Sequence, residues 1–108
     1  MAVDIETVTH SARQYAHDVR RVMPVDKVML FGSYAKGTAT PQSDIDICFF
    51  LGSYDGKRRV DILKELFGLT KDYGCKGIFF EPLVFETSEL ENDNPFVKEI
   101  LRTGREIL

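Results

Sequence analysis

Over residues 4–23 the apolar side chains fall at Ile5, Val8, Ala12, Tyr15, Ala16, Val19 and Val22. Steps of three and four place them on one face of a helix and leave the polar residues on the other. The spacing predicts an amphipathic helix, which Pro24 stops because proline lacks the N–H the next turn needs. The period then changes. Residues 25–31 (Val-Asp-Lys-Val-Met-Leu-Phe) read as a strand with Gly32 directly behind it. Residues 44–51 read as a second strand, alternating at first and then continuously apolar, as a central strand would be.

Residues 59–73 return to helical spacing, with Ile62, Leu63, Leu66, Phe67 and Thr70 on one face. Gly74 and Gly77 break that pattern, and a third strand is expected over residues 78–85. A last helix is signalled by Asn94 as N-cap, Pro95 at the first helical position, and a stripe of Phe96, Ile100, Leu101 and Ile107. The expected order is helix, strand, short helix, strand, helix, strand, helix. That is a mixed α/β (α+β) domain of two layers, a small sheet packed with helices, occupying residues 1–108 as one unit.

Composition narrows the function classes. With 44% apolar and 29% charged residues, a chain of this size buries a core without disulfides or a structural metal. The formal net charge of -3 argues against long duplex nucleic acid as the main partner, because phosphate binding needs a net basic face. No apolar run approaches the roughly 18 residues that span a bilayer. The first residues, Met-Ala-Val-Asp-Ile-Glu, lack the apolar core of a signal peptide. Cys48 lies in an apolar run, and Cys75 is the other cysteine. A reduced, cytoplasmic protein without a membrane partner is the expectation.

The candidate chemistry sits between the first two strands. Gly32 allows a sharp turn and close approach of a phosphate. The N–H groups of the helical start behind it point outward, where the helix dipole favours anions. Ser33 adds a hydroxyl donor and Lys36 a cation one turn later, so Gly32, Ser33 and Lys36 form a candidate triphosphate cradle. The segment is not a P-loop, since Thr38 and Ala39 follow Gly37 where that motif needs Lys and then Ser or Thr.

Asp44 and Asp46 open the second strand. Residues i and i+2 of a strand share a face, with Cα atoms about 6.5–7 Å apart. Paired carboxylates there repel one another, and divalent cations remove that repulsion. Mg²⁺ suits the donors, because it takes a few carboxylate oxygens and completes its shell with water and substrate phosphate. Glu81, set among apolar residues of the third strand, is the candidate third carboxylate, on the argument that an unpaired buried charge is costly. The competing reading is an edge-strand glutamate beside Pro82. An exposed strand end would likewise account for the aspartates. His10 and His17 lie seven apart on one helix face without a ligand-spaced partner and read as surface or packing residues. Lys57-Arg58-Arg59 reads as a solvated helix start, and residues 86–93 as an acidic connection.

Taken together, Phe31-Gly32-Ser33-Tyr34-Ala35-Lys36-Gly37, six further residues and Asp44-Ile45-Asp46 closely resemble the signature of the polymerase-β-type nucleotidyltransferase superfamily. The pattern is Gly-Ser, ten residues, then Asp-x-Asp, with Ser43 just before the pair. The short chain resembles the minimal nucleotidyltransferases of that group, and Glu81-Pro82-Leu83-Val84 and the segment from Asn94 to Leu108 resemble their later elements. Two positions depart from the usual pattern: Glu81 stands where Asp is more common, and Lys36 where Arg is.

The resemblance implies that Gly32 and Ser33 hold the β- and γ-phosphates of a nucleoside triphosphate, ATP by default. It implies two Mg²⁺ ions on Asp44 and Asp46, with Glu81 as a further ligand or as the base. It further implies an antitoxin that transfers AMP to a tyrosine hydroxyl of an all-helical toxin of the HEPN family. The chain is too short for an acceptor-binding domain, so a partner or a second copy of the chain is expected to supply that surface. Two alternatives stay open. One is a non-catalytic module that neutralises its partner by contact, and the other is a transferase acting on a small-molecule hydroxyl such as an antibiotic.

Overall fold

The computed structural model describes residues 5–37, 44–74 and 77–108. The turn-rich segment over residues 38–43 (with Ser43), Cys75 and the first four residues lie outside them. Helix α1 (Ile5–Arg20) buries the predicted stripe at Val8, Ala12, Tyr15, Ala16 and Val19. Val22 lies past the helix end and is exposed. After α1 come β1 (Val25–Phe31), the single turn α2 (Ser33–Lys36) and β2 (Ile45–Leu51). Next are α3 (Arg59–Gly68), α4 (Lys71–Gly74), β3 (Phe80–Glu86) and a 3₁₀ turn (Thr87–Leu90). Helix α5 (Pro95–Thr103) and the short strand β4 (Arg105–Glu106) close the chain.

The four strands form one mixed sheet in the order β3-β2-β1-β4. Strand β1 is antiparallel to β2 and β4, whereas β2 and β3 run parallel across the α3–α4 connection. Continuous burial along β2 follows from its central place. Ile45, Ile47, Phe49 and Leu51 pack with α1, α3 and α4 on one face. Cys48 and Phe50 pack with Met29 and with Val97 and Ile100 of α5 on the other. Helices therefore cover both faces. The two layers expected from the element order are three, because a strand apolar on both sides needs a partner on each.

On the α1 face Tyr15 is fully buried. Its hydroxyl donates to the Leu66 carbonyl at 2.6 Å, and its ring stacks on Phe80 at 4.8 Å and meets Phe49 edge-on at 5.3 Å. Burial pushes its phenol well above the usual range.

Two predicted boundaries change for identifiable reasons. The helix expected over residues 59–73 breaks between α3 and α4, where the Thr70 hydroxyl donates to the Phe67 carbonyl at 2.6 Å and competes with the helical ladder. Within α3 it is Ile62 and Leu66 that carry the packing, while Phe67 is exposed.

The last helix starts as predicted, with the Asn94 carboxamide oxygen accepting from the N–H groups of Phe96 and Val97 at 3.0 and 3.3 Å. It stops at Thr103 instead of running on to Ile107. A Cβ on Gly104 would meet the carbonyls of Ile100 and Leu30 at 2.5 and 2.8 Å, so the chain passes tightly against β1 at that point. Ile107 then joins the α1-side core as part of the strand-like tail, its N–H donating to the Val28 carbonyl at 3.0 Å.

Candidate active site

Strand β1 delivers the chain into Gly32, whose φ of 74° and ψ of -151° belong to glycine alone. A Cβ there would stand 2.1 Å from a carboxylate oxygen of Asp46. The glycine expected to make room for an incoming phosphate thus first makes room for the protein's own carboxylate. Behind it α2 forms one turn, with the Lys36 N–H donating to the Gly32 carbonyl at 3.1 Å and Gly37 ending the turn in the left-handed region at φ 76°. Tyr34 is buried and anchors the turn, Ser33 is half-buried at its start, and Lys36 is exposed at its far end.

The register of the sheet gathers the acidic residues. Phe31 of β1 is the partner of Asp46 in β2, and Asp46 is the partner of Glu81 in β3. One row across three strands therefore reads Phe31, Asp46, Glu81, with neighbouring strands about 4.8 Å apart. Asp44 lies exposed just ahead of β2, two residues from Asp46 and so on the same face. The Ile45 N–H donates to the Phe79 carbonyl at 2.8 Å and ties the start of β2 to the approach of β3.

Glu81 corrects the sequence argument. It was expected to be buried, and it is exposed on an edge strand beside Pro82. Alternation along β3 turns Phe80, Pro82 and Val84 inward and leaves Glu81 outward. What selects it is register opposite Asp46, not burial.

The Asp46 carboxyl is pushed up to about 6, first by burial and then by the negative charges of Glu81 and Asp44. Among the described residues no three acidic, histidine or cysteine side chains converge as a ready-made metal cage. The donor set nonetheless fits a hard divalent cation. Its three groups supply only oxygen, and like charge already crowds the half-buried Asp46. Mg²⁺ takes few protein ligands and completes its shell from phosphate and water.

The remaining candidates have structural roles. Lys57 pairs with Glu65 at 3.0 Å and Arg58 with Asp61 at 3.1 Å, while the Arg59 guanidinium lies 4.8 Å over the Phe85 ring. The acidic connection is pinned by Thr87, whose hydroxyl donates to Asp26 at 2.7 Å, and by Asn94, whose amide donates to Glu89 at 3.1 Å. His17 borders a shallow groove with Gln14, Asp18, Arg21, Asp72 and Tyr73, away from the carboxylate row. Cys48 is buried, its thiol pushed up to about 12 by desolvation. Among the described residues no helix is long and apolar enough to cross a membrane.

Sequence reasoning missed the aromatic side of the site. Phe31 borders Asp46 and meets Phe96 of α5 edge-on at 6.4 Å, and Phe96 leans on Phe85 at 6.1 Å. Alternation along β1 puts Phe31 on one face with Met29, but the strand register is what places it beside Asp46.

Comparison with known proteins agrees with this geometry. Residues 12–102 match the model of the nucleotidyltransferase domain family. A Methanocaldococcus jannaschii protein provisionally named a protein adenylyltransferase is 36% identical over 84 residues, covering 75% of this chain and 56% of the relative. The chain thus spans little more than half the length of that relative. Two solved structures share the fold. One is a chain of a toxin–antitoxin complex with AMP-PNP, with TM-score 0.58, 18% identity, and 89% of this chain and 72% of that one covered. The other is a candidate nucleotidyltransferase from Sulfolobus solfataricus, with TM-score 0.55, 16% identity, and 98% and 87% covered.

Proposed function

The chain belongs to the nucleotidyltransferase domain family, and from that premise we propose that it transfers AMP from ATP to a hydroxyl on a partner protein. The observation that carries this reading is the Phe31–Asp46–Glu81 row, which sets two carboxylates side by side behind Gly32 with Asp44 two residues away. A protein acceptor is favoured by the relative's name and by the toxin–antitoxin complex among the structural neighbours. On this reading the acceptor is a tyrosine of a helical HEPN toxin and the protein is a cytoplasmic antitoxin. Residues 1–108 act as one domain, and the partner supplies the acceptor surface.

Each residue has a distinct task. Gly32 keeps the turn open for the Asp46 carboxylate. The N–H groups at the start of α2, which lack intrahelical partners as at any helix start, and the Ser33 hydroxyl receive the β- and γ-phosphates. Lys36, exposed at the far end of the turn, adds positive charge from solvent. Asp44 and Asp46 are the residues that would hold Mg²⁺, which leaves Glu81 to act as the base. When bound, the metal neutralises the triphosphate and lowers the charge barrier to attack at the α-phosphorus.

The acceptor hydroxyl oxygen forms a bond to the α-phosphorus as the bond to the bridging oxygen breaks. Pyrophosphate leaves, and a Glu81 carboxylate oxygen takes the hydroxyl proton. The protein's contribution is positioning and charge.

The test is incubation of the protein with ATP and Mg²⁺, with and without the product of the neighbouring reading frame, read by intact mass. A gain of one or more AMP units on the partner, lost in the Asp44→Ala/Asp46→Ala variant, supports the reading. Tight binding between the two proteins without an adduct replaces it with neutralisation by contact.

A further inference from the structure

Phe96 is the second residue of α5 and remains 50% exposed, although the face of α5 that meets the sheet buries Val97 and Ile100. Its ring is not loose. It meets Phe31 at 6.4 Å with the planes 84° apart, and Phe85 at 6.1 Å with the planes 44° apart. Phe31 is the cross-strand partner of Asp46, so Phe96 stands one ring-to-ring step from the carboxylate row, on the same face of the sheet. The Asn94 cap and Pro95 fix the backbone that carries it. A half-exposed phenyl ring, held on two sides and close to the proposed phosphate site, is preorganised to meet a planar aromatic ligand.

We propose that Phe96, braced by Phe31 and Phe85, is the stacking platform for the nucleobase of the bound nucleotide. The inference rests on the nucleotide-binding reading above and adds a second subsite to it: carboxylates and the Gly32–Ser33 turn for the phosphates, a ring for the base. Every base presents a π-face, so a stacking platform gains affinity without choosing strongly between bases. ATP and GTP should therefore bind within a few-fold of one another.

The experiment compares Mg²⁺-ATP with Mg²⁺-tripolyphosphate, which has the phosphates and no base, by titration calorimetry. Wild type, Phe96→Leu and Phe96→Trp are measured. Leu keeps apolar bulk at a half-exposed position, so the fold is retained, and a melting curve checks this. Loss of base stacking is expected to weaken binding on the order of tenfold or more. That loss is expected for ATP in Phe96→Leu, with tripolyphosphate unchanged. The chain contains no tryptophan, so Phe96→Trp adds a unique reporter whose emission ATP should quench and tripolyphosphate should not.

Equal weakening of both ligands in Phe96→Leu, or of neither, overturns the platform, as does quenching of Phe96→Trp by tripolyphosphate. So does wild-type protein that binds the two ligands equally well. Wild-type protein that binds neither ligand overturns the nucleotide site itself, a separate result from loss of the platform alone.

Discussion

The two faces of the central strand treat polar groups in opposite ways. On the α1 face the Tyr15 hydroxyl is fully buried and donates at 2.6 Å to the Leu66 carbonyl, with aromatic rings around it. On the α5 face, at the start of the same strand, Asp46 is half-buried and faces Glu81 and Asp44, so its carboxyl rises to about 6. One face gives its polar group a partner. The other sets like charges against one another. A region built only for stability would not do the second, because unpaired charge in partial burial opposes folding. The contrast separates the part of the molecule that holds the fold from the part proposed to hold a ligand.

The sharpest way to break that comparison is to remove carboxylates. Asp44→Ala/Asp46→Ala should lower AMP transfer at least about a thousandfold, in line with losses on removing groups that stabilise transition-state charge. It should melt no lower than wild type, and addition of Mg²⁺ should raise the melting temperature of the wild type alone. A large drop in melting temperature would mean that the carboxylates are structural after all.

Phe49→Ala probes the other face. It should cost about 3–5 kcal/mol, a large share of the 5–15 kcal/mol by which domains are stable. Denaturant titration measures this, and transfer by the remaining folded fraction should persist.

Gly32→Ala comes next, at about 1–3 kcal/mol for a non-glycine residue held in that backbone region. It displaces the Asp46 carboxylate that a Cβ would overlap, so activity should fall more than stability does.

The smallest effect concerns pH. The folded Asp46 carboxyl sits near 6 against an ordinary value of 3.8, so the folded state binds more protons between those values. Wild-type stability without Mg²⁺ should therefore rise as pH falls from about 7 through 6, by a few degrees in melting temperature at most, since half the group remains in solvent. Asp46→Asn should raise stability at pH 7 and flatten that part of the profile. An unchanged slope in Asp46→Asn would assign the titration elsewhere.

Much of this was legible in the chain. The stripe of α1, the strand before Gly32, the apolar run of β2 and the Asn94–Pro95 helix start are local patterns, set by periodicity and by the bonding capacity of single side chains. The Gly32-Ser33 and Asp44-Ile45-Asp46 pairs were legible for the same reason, since each is a short-range arrangement. Family membership then agreed with the resemblance they carry. Glu81 was selected for burial it does not have, because apolar neighbours in sequence do not reveal that β3 lies at the sheet edge. The break at Thr70 and the end of α5 at Gly104 went unread, since a hydroxyl's choice of carbonyl and the close pass of Gly104 against Leu30 depend on what lies opposite.

By itself, then, the sequence determined the order of the main elements and which residue types are candidates for the chemistry, because those depend on neighbours a few positions apart. Only the tertiary structure decided that helices cover both faces, that β4 pairs with β1, that Glu81 stands opposite Asp46 and that Asp46 fills the space Gly32 leaves. These are relations between segments distant in the chain. Strand order and register fix them, and register is set by which apolar faces can be buried together.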